Sequence, residues 1–162
     1  MDWYEIPRDL PHVIAVSATG PRGWGLDQTT DVDRPASYTN YGQSMVGVAA
    51  PGGDMDLTLM DDCTVQGITR PCFWFDMILA PSTCDSPFDG NVQVTWSWMN
   101  GTSMSAPHVA GVAALVIEAR GGALHPDQVR TILEQSADDL GKPGNDDFYG
   151  AGRVNALRAV LQ

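Results

Sequence analysis

Apolar and β-branched residues run together in PHVIAVSATG, bounded by Pro11 and Gly20, and this pattern predicts a buried strand of a parallel sheet. A second run in SYTNYGQSMVGVAAPGG predicts a strand around Met45 to Ala50, ended by the turn residues Pro51, Gly52 and Gly53. From Asp54 to about Val92 the pattern is irregular, with cysteines, prolines and the apolar run FWFDMILA, and predicts a surface insertion holding a short strand or hairpin. VQVTWSWMN predicts a further extended piece. Val109, Val112, Ala113, Val116 and Ile117 then recur at helical spacing, and Gly121-Gly122 stops that helix. A second helix is expected to start near His125-Pro126, with Val129, Ile132 and Leu133 on one face, and to end near Leu140-Gly141. RVNALRAVLQ predicts a short amphipathic helix after the loop KPGNDDFYGAG.

A chain of 162 residues, 43% hydrophobic and 18% charged, can bury one ordinary core, so one compact unit is expected. No run of about 18 apolar residues occurs, which predicts no membrane span. The stretch MDWYEIPRDL lacks the basic-then-apolar order of a signal peptide. A net charge of -11 opposes nucleic acid phosphates and anionic lipid surfaces, so neither is an expected partner. Cys63, Cys72 and Cys84 show no C-x-x-C spacing, which disfavours structural zinc. In an oxidising compartment Cys63 and Cys72 could close a small loop, leaving Cys84 free or paired outside the chain.

Chemistry is concentrated in NGTSMSAPHVAGVAALV, Asn100 to Val116, where Ser103 stands at the start of the first helix. Unpaired N–H groups at a helix N-terminus and the helix dipole stabilise an oxyanion forming beside a nucleophile there. Gly101 leaves room for a substrate. The competing reading is structural, with Thr102 or Ser103 an ordinary helix cap.

GTSMSAPHVAGVAAL resembles the serine motif of the subtilisin-like (S8) peptidases almost residue for residue. LPHVIAVSA, SYTNYG…VGVAAPGG and HPDQVRTILEQSADDLG…YGAGRVNA extend the resemblance over nearly the whole chain, except the insertion at about 54–92. The resemblance implies an α/β fold: the C-terminal half of a three-layer domain with a mostly parallel sheet and flanking helices. It implies that Ser103 is the nucleophile and that Thr102 and the Ser103 amide serve the oxyanion. Asn100 and Gly101 would line the substrate cleft, with Met104 beside the nucleophile. The substrate implied is a polypeptide, and the location secreted or extracellular.

A serine hydroxyl needs a base within hydrogen-bond reach, and the chain has three histidines. His108 follows Ser103 on the same helix at roughly 140° around its axis and about 7.5 Å along it, so it should point away. His125 lies beyond the far end of that helix, about 24 Å on. His12 precedes the first strand, as a solvated or hydrogen-bonded loop residue. None is an expected base. The family's triad runs Asp, His, Ser along the chain, and its Asp and His motifs would lie upstream of this sequence or on another chain. The chain by itself is therefore expected to be inactive, and an upstream half of the same domain is the expected partner.

The alternative function is a catalytically silent peptide- or partner-binding module that keeps the motif. G-x-S-x-G fails at Ser105 and S-x-x-K fails at Ala106, which removes two other serine-nucleophile patterns. The chemistry requires no cofactor. Structural calcium fits the family, but Asp61-Asp62 and Asp146-Asp147 lack convergent oxygen ligands and are expected to be solvated loop charges. Trp74, Trp96, Trp98, Phe73 and Phe75 fit a strand core better than a peptide-binding wall, though at least one of Trp96 and Trp98 could face the leaving-group side of the cleft.

Overall fold

The computed structural model describes residues 10–42, 45–85 and 92–162. The two predicted strands of the first half form β1 (Val16–Thr19) and β2 (Val48–Pro51), a parallel pair with Val16 opposite Val48 and Thr19 opposite Pro51. The C-terminal loop runs along β2 as well: Ala49 N–H donates to Gly152 O and Val154 N–H donates to Ala49 O, each at 2.9 Å. Thus Val48, Ala49 and Ala50 are fully buried.

Across β1 and β2 lies α1 (Thr102–Ala119), against which α2 (Pro126–Ser136) and α3 (Ala156–Leu161) pack. Val48, Ala50, Val109, Val129 and Leu133 make the core between these layers, joined by Ile14, Val16, Val112 and Ile117. Burying a side chain such as Leu133 or Val48 stabilises the fold by about 1.5–3 kcal/mol each. Gly121 N–H bonds Glu118 O and Gly122 N–H bonds Ile117 O, which ends α1 where the glycine pair predicted.

The helix α2 begins at Pro126 as expected but stops at Ser136, short of Leu140-Gly141. A competing backbone pairing explains the difference. Asp138 and Arg153 exchange N–H···O bonds of 2.8 and 2.9 Å, drawing the chain out of the helix onto the loop before α3.

Among the described strands only β1 and β2 pair in parallel, fewer than the mostly parallel sheet that the resemblance implied, and the chain after the PGG turn forms two antiparallel pairs. Strands β3 (Asp62–Val65) and β4 (Ile68–Pro71) are joined through Gln66 and Gly67, both at positive φ, as a tight hairpin turn requires. The run FWFDMILA splits. Its first half belongs to a 3-10 helix, Cys72–Asp76, and its second to β5 (Ile78–Asp85), which pairs antiparallel with β6 (Val92–Met99). A Cys63–Cys72 disulfide closes the hairpin, with Cα atoms 4.8 Å apart. The side chain of Cys84 lies outside the described residues.

A second small core gathers Cys63, Val65, Cys72 and Phe75 with Trp24, Leu59 and Trp98. Trp98 meets Phe75 edge-on at 5.6 Å and Trp74 at 6.2 Å. So Phe73, Phe75 and Trp98 follow the core reading, whereas Trp96 is 66% exposed.

Candidate active site

The first residue of α1 is Thr102, and Ser103 follows in its first turn, exposed to solvent. Neither caps the helix. The capping position belongs to Gly101, at φ 150°, a conformation that favours glycine, and it has no side chain to accept from the first-turn amides. Met104 N–H bonds the Gly101 carbonyl at 2.9 Å, and the Thr102 and Ser103 amides share the helix end with the Ser103 hydroxyl, where a developing negative charge is favoured. Asn100 and Met104 flank this end half-buried.

Strand β6 delivers the chain to that end, and the turn after β2 holds it there. Gly101 N–H donates to Gly52 O at 3.0 Å. Gly52 and Gly53 N–H both donate to Thr19 O, at 2.8 and 3.1 Å, so the PGG turn is tied to β1. Gly52 has no room for a side chain: a Cβ would press on Ser105 Oγ, Ala18 Cβ and the Gly101 carbonyl. Ser105 is itself fully buried, and its hydroxyl has no hydrogen-bond partner among the described residues.

The histidines are placed elsewhere. His108 Nδ1 lies 2.7 Å from Met104 O on its own helix. His12 Nδ1 lies 2.9 Å from Asp127 Oδ1, and His125 caps α2 by accepting from the Asp127 amide at 3.4 Å. Among the described residues no group of three or more His, Cys, Asp or Glu side chains is placed to hold a metal ion. Asp61 and Asp62 are exposed, but Asp146 departs from the expected solvated charge. It is 5% exposed and accepts N–H bonds from Lys142, Phe148 and Tyr149, so turn amides replace its water.

A carboxylate behind the PGG turn escaped the sequence reading. Asp54 is fully buried and accepts from Ser37 N–H, Ser37 Oγ and Met55 N–H. Asp76, nearly as buried, accepts from Gly23 and Trp24 N–H, and burial pushes its carboxyl above the usual range. In sequence both are isolated acids in an irregular segment.

A parallel strand pair thus lies under a helix that opens on an exposed serine. The Subtilase family matches residues 2–152, and the chain belongs to that family. It is 44% identical over 159 residues to an extracellular serine protease of Serratia marcescens, covering 97% of this chain and 13% of that protein. It is 43% identical over 148 residues to subtilisin DY of Bacillus licheniformis, covering 91% and 47%. Among solved structures, a lanthipeptide protease superposes with a TM-score of 0.67 at 32% identity, covering 96% of this chain and 44% of that one. Fervidolysin of Fervidobacterium pennivorans, a keratinolytic enzyme related to subtilisin, superposes at 0.61 and 27% identity, covering 97% and 20%. The fold is thus the subtilisin-like α/β fold, and the chain spans well under two thirds of the length of these relatives.

Proposed function

We propose that this chain is the serine-bearing portion of a secreted subtilisin-like serine endopeptidase. The observation that carries the reading is Ser103, exposed in the uncapped first turn of α1, in a chain matched by the Subtilase family along nearly its whole length. The relatives named extracellular proteases support a secreted location.

In the complete enzyme an imidazole from outside these residues takes the Ser103 hydroxyl proton as Oγ bonds to the peptide carbonyl carbon. Charge moves to the carbonyl oxygen, which Thr102 and the Ser103 amide help to hold. Collapse breaks the C–N bond, and the imidazolium gives its proton to the leaving amine. Water then releases the acyl group by the reverse proton path. Asn100, Gly101 and Met104 line the substrate on the nucleophile's side. No cofactor enters this chemistry, and any bound calcium would be structural.

Two surfaces support a partner that is the Asp- and His-bearing half of the same domain. Helix α1 is apolar nearly all round, yet Ala106, Pro107, Ala110, Gly111, Ala114 and Leu115 are exposed. Helices of that composition belong inside a protein. A groove of about 260 Å³ beside β1, lined by Val13, Ile14, Val16, Met45 and Val46, reaches Thr102.

The test is labelling by a fluorophosphonate and turnover of a chromogenic peptide, with Ser103→Ala as control. The chain alone should do neither at an appreciable rate, and adding the Asp- and His-bearing half should restore both. Rapid labelling by the chain alone would overturn the claim that the base lies elsewhere. Peptide binding unchanged by Ser103→Ala, with no turnover after reconstitution, would favour the silent binding module.

A further inference from the structure

The carbonyl of Gly52 receives two donors. One is Gly101 N–H, and the other is the phenol hydroxyl of Tyr38, 2.9 Å away. The same hydroxyl lies 2.7 Å from Gly53 O, so one proton is shared between the two carbonyls of the PGG turn. Tyr38 is held for this task on both sides. Ser37 is bonded to the buried Asp54 through its amide and its hydroxyl, while Thr39 Oγ1 accepts from Ala18 N–H at 2.9 Å.

We propose that Tyr38 is a positioning residue for the nucleophile: its hydroxyl fixes the Gly52 carbonyl, which fixes Gly101 and with it the first turn of α1 that presents Ser103. The relay is short and stiff. Gly52 cannot slide, because Ser105, Ala18 and the Gly101 carbonyl close around it. Gly101, at φ 150°, has few intrinsic restraints, so its N–H bond to Gly52 is what sets the direction in which the chain enters the helix. A phenylalanine would fill the same ring volume and leave both carbonyls without this donor. Misplacement of a catalytic group by an ångström is enough to cost about a hundredfold in rate, so a residue that never touches substrate can still set kcat.

The catalytic part of this inference rests on Ser103 being the nucleophile, but the structural part does not, and the experiment separates them. In the isotope-labelled full chain, Tyr38→Phe should speed amide hydrogen exchange at Gly101 about tenfold, as loss of one net hydrogen bond implies. Exchange at Val129 and Leu133 in α2 should not change. Tyr38→Leu should do the same at Gly101, since both variants lack the hydroxyl. In the enzyme reconstituted with its Asp- and His-bearing half, Tyr38→Phe should lower kcat about five- to twentyfold with KM within twofold.

Unchanged Gly101 exchange in Tyr38→Phe would overturn the relay, as would an effect confined to Tyr38→Leu, which would assign the role to ring packing. Loss of cooperative folding in Tyr38→Phe would also overturn it, making the hydroxyl a general stability element. Faster Gly101 exchange with unchanged kcat in an active reconstituted enzyme would overturn the catalytic link alone. Absence of any Ser103-dependent turnover after reconstitution would instead refute the peptidase reading, while the exchange data still decide the relay.

Discussion

The Nδ1 atom of His108 stands 2.7 Å from the carbonyl oxygen of Met104, so the imidazole nearest to Ser103 in sequence is bound to its own helix. Proton transfer needs a base within hydrogen-bond reach, and five helical positions turn this ring roughly 140° around the axis from Ser103, where the Met104 bond holds it. In the reconstituted enzyme, His108→Ala should therefore leave kcat/KM within about threefold, a factor that costs under 1 kcal/mol of transition-state stabilisation. Steady-state kinetics checks this, and a loss of several orders of magnitude would identify His108 as a participant.

Gly52 and Ser105 should respond in opposite directions. Gly52→Ala drives a Cβ against Ser105, Ala18 and the Gly101 carbonyl, and overpacking of this kind costs about 1–3 kcal/mol. Ser105→Ala removes a buried hydroxyl that has no partner among the described residues, so it should be neutral or slightly stabilising. Urea denaturation of both single variants and the double variant tests the pair. The double variant should recover part of the loss, because one of the three colliding atoms is gone.

Burial pushes the Tyr38 phenol up to about 12, reinforced by the negative charge of Asp54 and opposed by the Gly101 amide. The unfolded chain loses this proton near the ordinary value of 10.0, so the folded state holds more protons between the two. Its contribution to stability is complete below pH 10 and is lost as the pH rises toward 12. Denaturation across that range should show a steeper alkaline decline for the native chain than for Tyr38→Phe, and parallel curves would contradict the shift.

At the other end of the scale stands Asp138. Burial alone would raise its carboxyl, but hydrogen bonds from Arg153, Asn155 and Arg158 outweigh that and hold it below the usual range. Its stabilising contribution is present above pH 3.8 and is lost as the pH falls through the lowered folded value. Asp138→Asn should destabilise the fold by about 1–2 kcal/mol at neutral pH and flatten the acid limb of the stability curve. Arg153 also grips Asp33 with both contacts at 2.6 Å, so the variant should loosen the last loop without releasing it.

Reduction of the Cys63–Cys72 disulfide, or its replacement by two serines, should cost about 2–3 kcal/mol, the value expected for a loop of roughly ten residues. Because Cys63 and Cys72 pack with Phe75 and Trp98, tryptophan fluorescence should report the loss. The core around Leu133 is a separate cluster, and amide exchange in α2 should change far less.

The elements of the chain were legible wherever periodicity and punctuation agreed. The spacing of Val109, Val112, Val116 and Ile117 marked α1, the Gly121-Gly122 pair marked its end, and Pro126 marked the start of α2. These are local effects, since helix period, proline geometry and glycine caps act within a few residues. The serine motif was legible for the same reason, as an unbroken run from Asn100 onward that also names the family.

What tertiary structure decided are the contacts between distant segments. The early end of α2 depends on Arg153 drawing Asp138 away, fifteen residues along the chain. The burial of Asp146 depends on the amides of a turn that closes back on it, and the division of the tryptophans into a packed Trp98 and an exposed Trp96 depends on where the 3-10 helix lies. Around the site, the sequence by itself determined that Ser103 stands at a helix start. Only the folded chain brings Tyr38, Gly52 and Gly101 onto one carbonyl, because a hydrogen bond between residues so far apart leaves no spacing rule in the sequence.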